Sequence, residues 1–313
     1  MNPEEIQSVY LAARGYEGPL ESELEGVFER FGRLRFSPHP ARPVFWAQNV
    51  WQNPRVLPIA SINDAARKLK ALQRNWIHTP VTLHRRSALI RDKLPPVSGR
   101  PLNFPAPLPT APLGSWTLLD ASTLLASPQC SSPFPNGEVH FVEDRAGPPN
   151  RAYLKLWEAL TLMERHPVPG EFCLDAGGAP GGWAWVAARL GARVLTVDRS
   201  PPHPTVGGLP EVEYRRGDAF RLRPEDFEPV DWLFWDVVCY PEKLYDWLAG
   251  WVFGGKARHV VATLKFQGAP DYTIARRFAA FPHSRVTHLF HNKHELTLMI
   301  SSPFPAPDSG EGE

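Results

Sequence analysis

Phe172-Cys-Leu-Asp-Ala-Gly-Gly-Ala-Pro-Gly-Gly-Trp183 is the most informative stretch of this 313-residue chain. An apolar run, Glu171 to Ala176, predicts a short buried strand. It ends in a glycine-rich turn, and Trp183 opens a helix predicted over Gly182 to Leu190. In an open parallel sheet, ligands lie beyond the carboxyl ends of the strands, where this turn falls. Gly177, Gly178, Gly181 and Gly182 carry no side chains, so the backbone can approach a ligand closely. The spacing is not that of a dinucleotide loop. Gly177, Ala179 and Gly182 occupy the G-x-G-x-x-G positions, the middle glycine is absent, and Pro180 blocks the usual path. No Gly-Lys-Ser or Gly-Lys-Thr ending follows, so a phosphate-binding P-loop is excluded. A nicotinamide oxidoreductase is disfavoured on the same residues.

Outward from this turn the chain alternates. Strands are predicted at Ala192–Val197, Val212–Arg215, Asp231–Trp235 and His259–Leu264, with helices at Pro241–Trp251 and Asp271–Phe281. A helix, Arg151 to Arg165, precedes the first strand. Arg285–Phe290 and Glu295–Ser301 close as a pair, with Asn292 and Lys293 at an antiparallel hairpin turn. This alternation predicts an α/β fold: a doubly wound, Rossmann-like sheet, mostly parallel with an antiparallel last strand. We place a domain boundary near residue 145, giving regions 1–145 and 146–313, the second ending in a proline-rich tail, Pro303 to Pro307.

The first region reads as a smaller α+β unit. A strand is predicted at Ser8–Ala13 and a helix over Pro19–Phe31, where Leu20, Leu24, Val27 and Phe31 recur at helical spacing. A second helix is predicted over Ile62–Leu72 and a strand over Trp116–Leu125. Proline is abundant, 35 residues, and dense between Pro95 and Pro112, which predicts extended loops there.

The formal net charge is only +1, so any nucleic-acid contact must come from local patches. The densest basic stretch includes Arg67, Lys68, Lys70, Arg74, Arg85 and Arg86, with Trp76 and His78 among them. These six cations are the candidate RNA-binding residues; a solvated helix face with a structural tryptophan is the competing reading. The three cysteines, Cys130, Cys173 and Cys239, form no C-x-x-C pair. They indicate neither zinc nor a disulfide framework, and fit a reducing, cytoplasmic setting. His288, His291 and His294 do not make a convincing metal set across a strand and turn, so no metal is expected. The first ten residues lack the apolar segment of a signal peptide, and no run of about 18 apolar residues predicts a membrane span.

Asp198 ends the strand after the glycine turn, where a carboxylate can accept both hydroxyls of a ribose. Asp218, in Gly217-Asp218-Ala219, follows the third strand and can accept from an adenine amino group. With Asp175 they favour an adenosyl cofactor. Asp175-Ala-Gly-Gly-Ala-Pro-Gly-Gly-Trp183 resembles the cofactor loop of the FtsJ-like ribose 2'-O-methyltransferases, D-x-G-x-x-P-G-G-W. That family's Lys-Asp-Lys-Glu catalytic set falls, in order, on Lys155, Asp236, Lys265 and Glu295. Pro148-Pro-Asn-Arg-Ala-Tyr-Leu-Lys155 is similar to the corresponding segment of the 23S rRNA cytidine 2'-O-methyltransferases of the RlmM type. Ser8 to Leu24 loosely resembles the opening of their THUMP-containing RNA-binding region. The resemblance is good over residues 133 to 301 and loose before.

The resemblance implies S-adenosylmethionine as cofactor, held by Asp175, Gly177, Ala179, Pro180, Gly181, Gly182, Trp183, Asp198, Asp218 and Asp236. It implies 23S rRNA or a large-subunit precursor as partner, and a THUMP-like RNA-binding role for the first region. Transfer RNA as substrate, and an inactive RNA-binding assembly factor, are the alternatives. Ala152 stands where the family carries a serine toward the cofactor. Chemically, a ribose hydroxyl is a weak acid and needs a base or strong positioning. Lys265 is the candidate base, with burial and the neighbouring Lys155 cation favouring its neutral form. Asp236 would orient it, Glu295 would pair with Lys155, and Lys155 would favour the developing alkoxide.

Overall fold

A computed structural model of the chain describes residues 5–268 and 270–301. The tail from Pro303 to Pro307 lies outside them. Backbone packing divides the chain into two compact units, one up to Val142 and one from Glu143.

The first unit holds two sheets. One is built from β1 (Ser8–Ala12), β2 (Glu29–Phe31), β3 (Leu34–Ser37), β4 (Ala47–Gln52) and the short β9 (Gln129–Cys130), in the order β2-β3-β1-β4-β9. The other joins β5 (Arg55–Pro58), β6 (Trp76–His78), β7 (Gly114–Leu118) and β8 (Thr123–Ser127), in the order β5-β8-β7-β6. Helices α1 (Glu17–Glu23), α2 (Ile62–Leu72) and α3 (His84–Arg91) complete the unit. Ala65, Ala66 and Leu69 of α2 and Ile90 of α3 share a core with Trp76, Trp116, Leu118, Leu124 and Ala126 of the second sheet. The unit is α+β, as the sequence predicts, but two of its elements are shorter than their periodicity suggests. The helix expected to reach Phe31 stops at Glu23, because Glu25 and Gly26 both take positive φ, and Val27 is left exposed while Phe31 joins β2. The single strand expected over Trp116–Leu125 is a hairpin. Asp120 turns the chain by accepting the backbone N–H of Ser122 at 2.7 Å, a short polar signal that the apolar run conceals.

The second unit is a seven-stranded sheet in the order β12-β11-β10-β13-β14-β16-β15. Its strands are β10 (Phe172–Ala176), β11 (Arg193–Asp198), β12 (Val212–Arg216), β13 (Val230–Trp235), β14 (Ala257–Lys265), β15 (Ser284–Thr287) and β16 (Glu295–Ser301). Strands β10 to β14 are parallel, and β16 runs antiparallel between β14 and β15. Helices α4 (Tyr153–Leu162), α5 (Gly182–Arg189), α6 (Pro204–Gly207), α7 (Pro241–Phe253) and α8 (Ala275–Ala279) accompany it. Cys173 and Leu174 of β10, Trp232 to Trp235 of β13 and Val260 to Ala262 of β14 are fully enclosed, as expected of strands buried on both faces. The expected α/β architecture with an antiparallel last strand is therefore what forms. The chain steps outward from β10 to β12, then returns to the opposite side of β10 as β13. That reversal separates the β10 and β13 carboxyl ends and opens the crevice in which doubly wound sheets hold ligands. The segment expected as one helix over Asp271–Phe281 is a 3₁₀ turn, Tyr272–Ile274, leading into α8, because Asp271 caps that turn through Thr273 N–H at 2.8 Å.

Candidate active site

The glycine turn joins β10 to α5 at the crevice. Gly177 takes φ +77°, and a Cβ there would lie 2.0 Å from Cγ2 of Val237, the residue after Asp236. Gly178 leaves equally little room: a Cβ would fall 2.1 Å from Asp175 Oδ2 and 2.4 Å from Thr196 Oγ1. The two glycines thus let the turn lie flat against the ends of β11 and β13. Trp183 points away from the turn. It is buried, its indole N–H donates to Ala152 O at 2.9 Å, and its ring meets Phe234 edge-on. Ala152, which lacks the serine hydroxyl expected there, contributes a carbonyl instead.

Asp175 is enclosed beneath the turn at 1 % exposure. Burial first, then the Asp236 and Asp198 carboxylates, push its pKa up to about 7, against the Ala184 N–H that favours the anion. Its Oδ2 and the neighbouring Thr196 Oγ1 are buried without a hydrogen-bond partner. A folded-state pKa above the unfolded value means that the native state holds a proton the unfolded chain has lost. Stability should therefore fall as pH rises from about 4 to about 7, by roughly 1.4 kcal/mol per unit from this group. Asp175→Asn should remove that component. Urea unfolding of both proteins at pH 5 and pH 8 measures it, and equal slopes in the two would refute the buried-carboxyl explanation.

Beyond the turn lies a cavity of about 430 Å³, lined by Gly177, Asp198, Asp218, Phe220 and Lys243 together with the segment Val237 to Tyr240. Asp198 holds the rim by accepting Ser200 N–H at 2.9 Å and Ala179 N–H at 3.2 Å. Asp218 accepts Phe220 N–H at 3.0 Å and is paired at 2.6 Å with Arg199, whose hydrogen bond lowers its pKa. Lys243 stands 3.8 Å from the centroid of Phe220. The cavity lies in the size range of small-molecule sites and offers carboxylates, an aromatic face and a side-chain-free strip of backbone. Arg199, Phe220, Lys243, Val237, Val238 and Tyr240 were not singled out in the sequence, and Cys239 was noted only as a cysteine. The run from Val237 to Tyr240 was findable, since it follows Asp236 at a strand's carboxyl end; the Arg199–Asp218 pair was not. Cys239 lines the same cavity, and burial pushes its thiol pKa up, which keeps it protonated.

Lys155, Asp236, Lys265 and Glu295, separated by up to 140 residues in sequence, meet at the carboxyl rim of β13 and β14. Lys155 Nζ, from α4, lies 2.9 Å from Asp236 Oδ1 and 3.0 Å from Glu295 Oε1. Lys265 Nζ lies 2.9 Å from the same Asp236 oxygen and donates to Asp236 O at 2.7 Å. Thr263 Oγ1 donates to that oxygen too, at 2.7 Å. Lys265 and Glu295 are direct partners in the β14–β16 ladder. Their side chains are between 7 % and 20 % exposed, so the cluster is largely but not wholly withdrawn from water. Burial opposes the charge on Lys155, but Asp236 and Glu295 outweigh it and raise its pKa. Lys155 is therefore held as an ammonium ion.

Residues 148–245 match the FtsJ-like methyltransferase family. The FtsJ-like segment includes Lys155, the glycine turn, Asp198, Asp218 and Asp236; Lys265 and Glu295 lie beyond it and join through the sheet. The chain is 33 % identical over 196 residues to a ribosomal RNA large subunit methyltransferase M of Laribacter hongkongensis, covering 57 % of this chain and 55 % of the relative. It is 35 % identical over 158 residues to the protein of that name from Halorhodospira halophila, covering 48 % and 46 %. The chain thus spans about half the length of the curated relatives it matches. Among solved structures, the 1,6-didemethyltoxoflavin-N1-methyltransferase of Burkholderia thailandensis superposes with a TM-score of 0.35 at 17 % identity, over 48 % of this chain and 76 % of that one.

The six basic residues expected at an RNA surface lie on or beside α2 and α3. Arg67 and Lys68 pair with Asp64 on the same helix, whereas Lys70, Arg74 and Arg85 are exposed. Trp76 is a core residue. Its indole N–H donates to Leu69 O at 2.9 Å, so this tryptophan is structural. Among the described residues, no group of three or more His, Cys, Asp or Glu is arranged to hold a metal, and no helix is long and apolar enough to cross a membrane.

Proposed function

We propose that the chain is an S-adenosylmethionine-dependent RNA methyltransferase acting on a ribose 2'-hydroxyl, with cytidine in 23S ribosomal RNA as the target and the cytoplasm as the setting. The single observation that carries this reading is the convergence of two lysines and two carboxylates at the sheet rim, beside a cavity suited to an adenosyl group. The names of the relatives support the RNA half of it.

When bound, S-adenosylmethionine supplies an electrophilic methyl group. The chain's own residues would hold the cofactor and prepare the acceptor. Asp198 would offer its carboxylate to the ribose hydroxyls, Asp218 and Phe220, which line the same cavity, would serve the adenine, and Gly177 would let the backbone come close. Lys155, fixed as an ammonium between two carboxylates, is the cation that stabilises the alkoxide as it develops. Lys265 is the base. Asp236 Oδ1 is shared by Lys155, Lys265 and Thr263. Asp236 aims Lys265, and Glu295 balances Lys155. The first region, THUMP-like and carrying Lys70, Arg74 and Arg85, contributes phosphate contacts to the same RNA.

Tritiated methyl transfer to naked 23S rRNA, isolated large subunits and tRNA tests the reading; cofactor binding without transfer to any of them would defeat it. Asp198→Ala should weaken S-adenosylmethionine binding by about tenfold to a hundredfold, because hydrogen bonds to a charged group contribute roughly 1.5–3 kcal/mol. Calorimetry reads this directly, and an unchanged affinity would remove Asp198 from the cofactor site.

A further inference from the structure

One buried carboxylate near the cluster has no place in that chemistry. Glu158 lies three residues after Lys155 on α4, at 3 % exposure. Its Oε1 accepts Phe290 N–H at 2.8 Å; its Oε2 accepts His291 N–H at 3.0 Å and lies 2.7 Å from His291 Nδ1. A carboxylate is costly to enclose unless its lone pairs are used. Here both oxygens are used, and all three contacts belong to the turn between β15 and β16.

The same turn grips Glu295 from its other side. Asn292 Nδ2 donates to Glu295 O at 3.2 Å and to Thr297 Oγ1 at 3.0 Å, and Lys293 N–H points at Glu295 Oε1 at 3.4 Å. His288 Nε2 meets Lys293 O at 3.1 Å. Residues 288–294 thus form a stiff bracket. One end is fastened to α4 by Glu158, and the other carries the carboxylate that Lys155, one helical turn earlier on α4, must reach at 3.0 Å.

We propose that Glu158 and His291 form a positioning clamp that docks the β15–β16 turn on α4, and so sets the Lys155–Glu295 distance on which methyl transfer depends. The inference rests on the reading of the cluster given above. The clamp touches neither the acceptor nor the cofactor cavity, which is lined by residues 177 to 267. The clamp needs an acceptor oxygen at each of two positions, and a glutamine, with one carbonyl oxygen and an NH2 group that only donates, keeps at most one of the two backbone contacts.

The test compares Glu158→Ala, Glu158→Gln and His291→Ala in steady-state methyl transfer, with cofactor affinity and thermal unfolding measured alongside. Glu158→Ala should lower kcat at least tenfold, with the cofactor Kd unchanged. Glu158→Gln, which keeps one of the two acceptor oxygens, should recover only part of that loss, and His291→Ala should show a smaller fall in the same direction. In a Glu295→Gln background, Glu158→Ala should add little, because the distance it controls no longer matters. Unaltered kcat in a folded Glu158→Ala protein, an equal fall in cofactor affinity, or effects that multiply across the Glu295→Gln background would each overturn the clamp. Amide hydrogen exchange supplies a readout free of turnover. Faster exchange at Phe290 and His291 in Glu158→Ala is expected even should Glu158→Ala prove too unstable for kinetics, and unchanged exchange there would also refute the docking. A wild-type protein that methylates no RNA would instead sink the proposed function and leave the exchange result to judge the clamp.

Discussion

Lys265→Ala should reduce methyl transfer by about 10³-fold while leaving S-adenosylmethionine affinity essentially unchanged, since positioned acid–base groups contribute typically 10²–10⁴-fold. Lys265 is the last residue of β14, and its amino group sits between the carboxylate and the backbone carbonyl of Asp236, so its Nζ has one well-defined position. The cavity is lined mainly by other segments, the turns after β10, β11 and β12 and the run after β13, with Gln267 the one contribution from beyond β14, and Lys265 is not among its lining residues. On the proposed reading, removing Lys265 therefore removes the base without emptying the cofactor site. Lys265→Arg should fail almost as badly, because a guanidinium keeps its proton at any accessible pH. Single-turnover transfer with saturating cofactor is the measurement. A folded Lys265→Ala protein that binds cofactor and still methylates at the wild-type rate would end the proposed mechanism.

Lys155→Met should have the largest effect on stability, a loss of roughly 3 kcal/mol at neutral pH, at the low end of the range for removing one partner of a buried ion pair. Lys155 is the cation common to Asp236 and Glu295, and it is about a tenth exposed. Without it, Glu295 is left in the β16 core facing Asp236, with only Lys265 to offset the pair. Adding Glu295→Gln should restore a good part of the stability, since the orphaned charge goes with it, while transfer stays lost. Urea denaturation of the two single variants and the double variant reads both effects. A Lys155→Met protein as stable as wild type would mean that water, rather than Lys155, solvates the carboxylates.

The strongest sequence signals were those that local physics writes twice. The turn from Asp175 to Trp183 shows both as a break in an apolar run and as a cluster of glycines, and its elements form within a residue or two of their expected bounds. Asp236 and Lys265 were visible as charges ending apolar strands. What stayed hidden depends on partners distant in the chain. The Arg199–Asp218 pair, the sharing of one Asp236 oxygen by three donors, and the hold of Glu158 on residues 290 and 291 follow from strand order, not from any spacing. The errors in the first unit have a different origin. Leu20, Leu24, Val27 and Phe31 keep helical spacing, yet two positive-φ residues end the helix between the second and third of them.

Strand β16 is the final described strand of the chain, yet it lies inside the sheet, between β14 and β15. The cavity beside the glycine turn is lined by residues between 177 and 267, whereas Glu295 arrives with β16. The lining of that cavity is thus encoded before the strand that completes the charged cluster. Glu295 joins Lys155 only when β16 is seated between its neighbours, in a register where a slip of one residue would turn Glu295 to the opposite face of the sheet. On the proposed reading, strand insertion and assembly of the catalytic cluster are then one event.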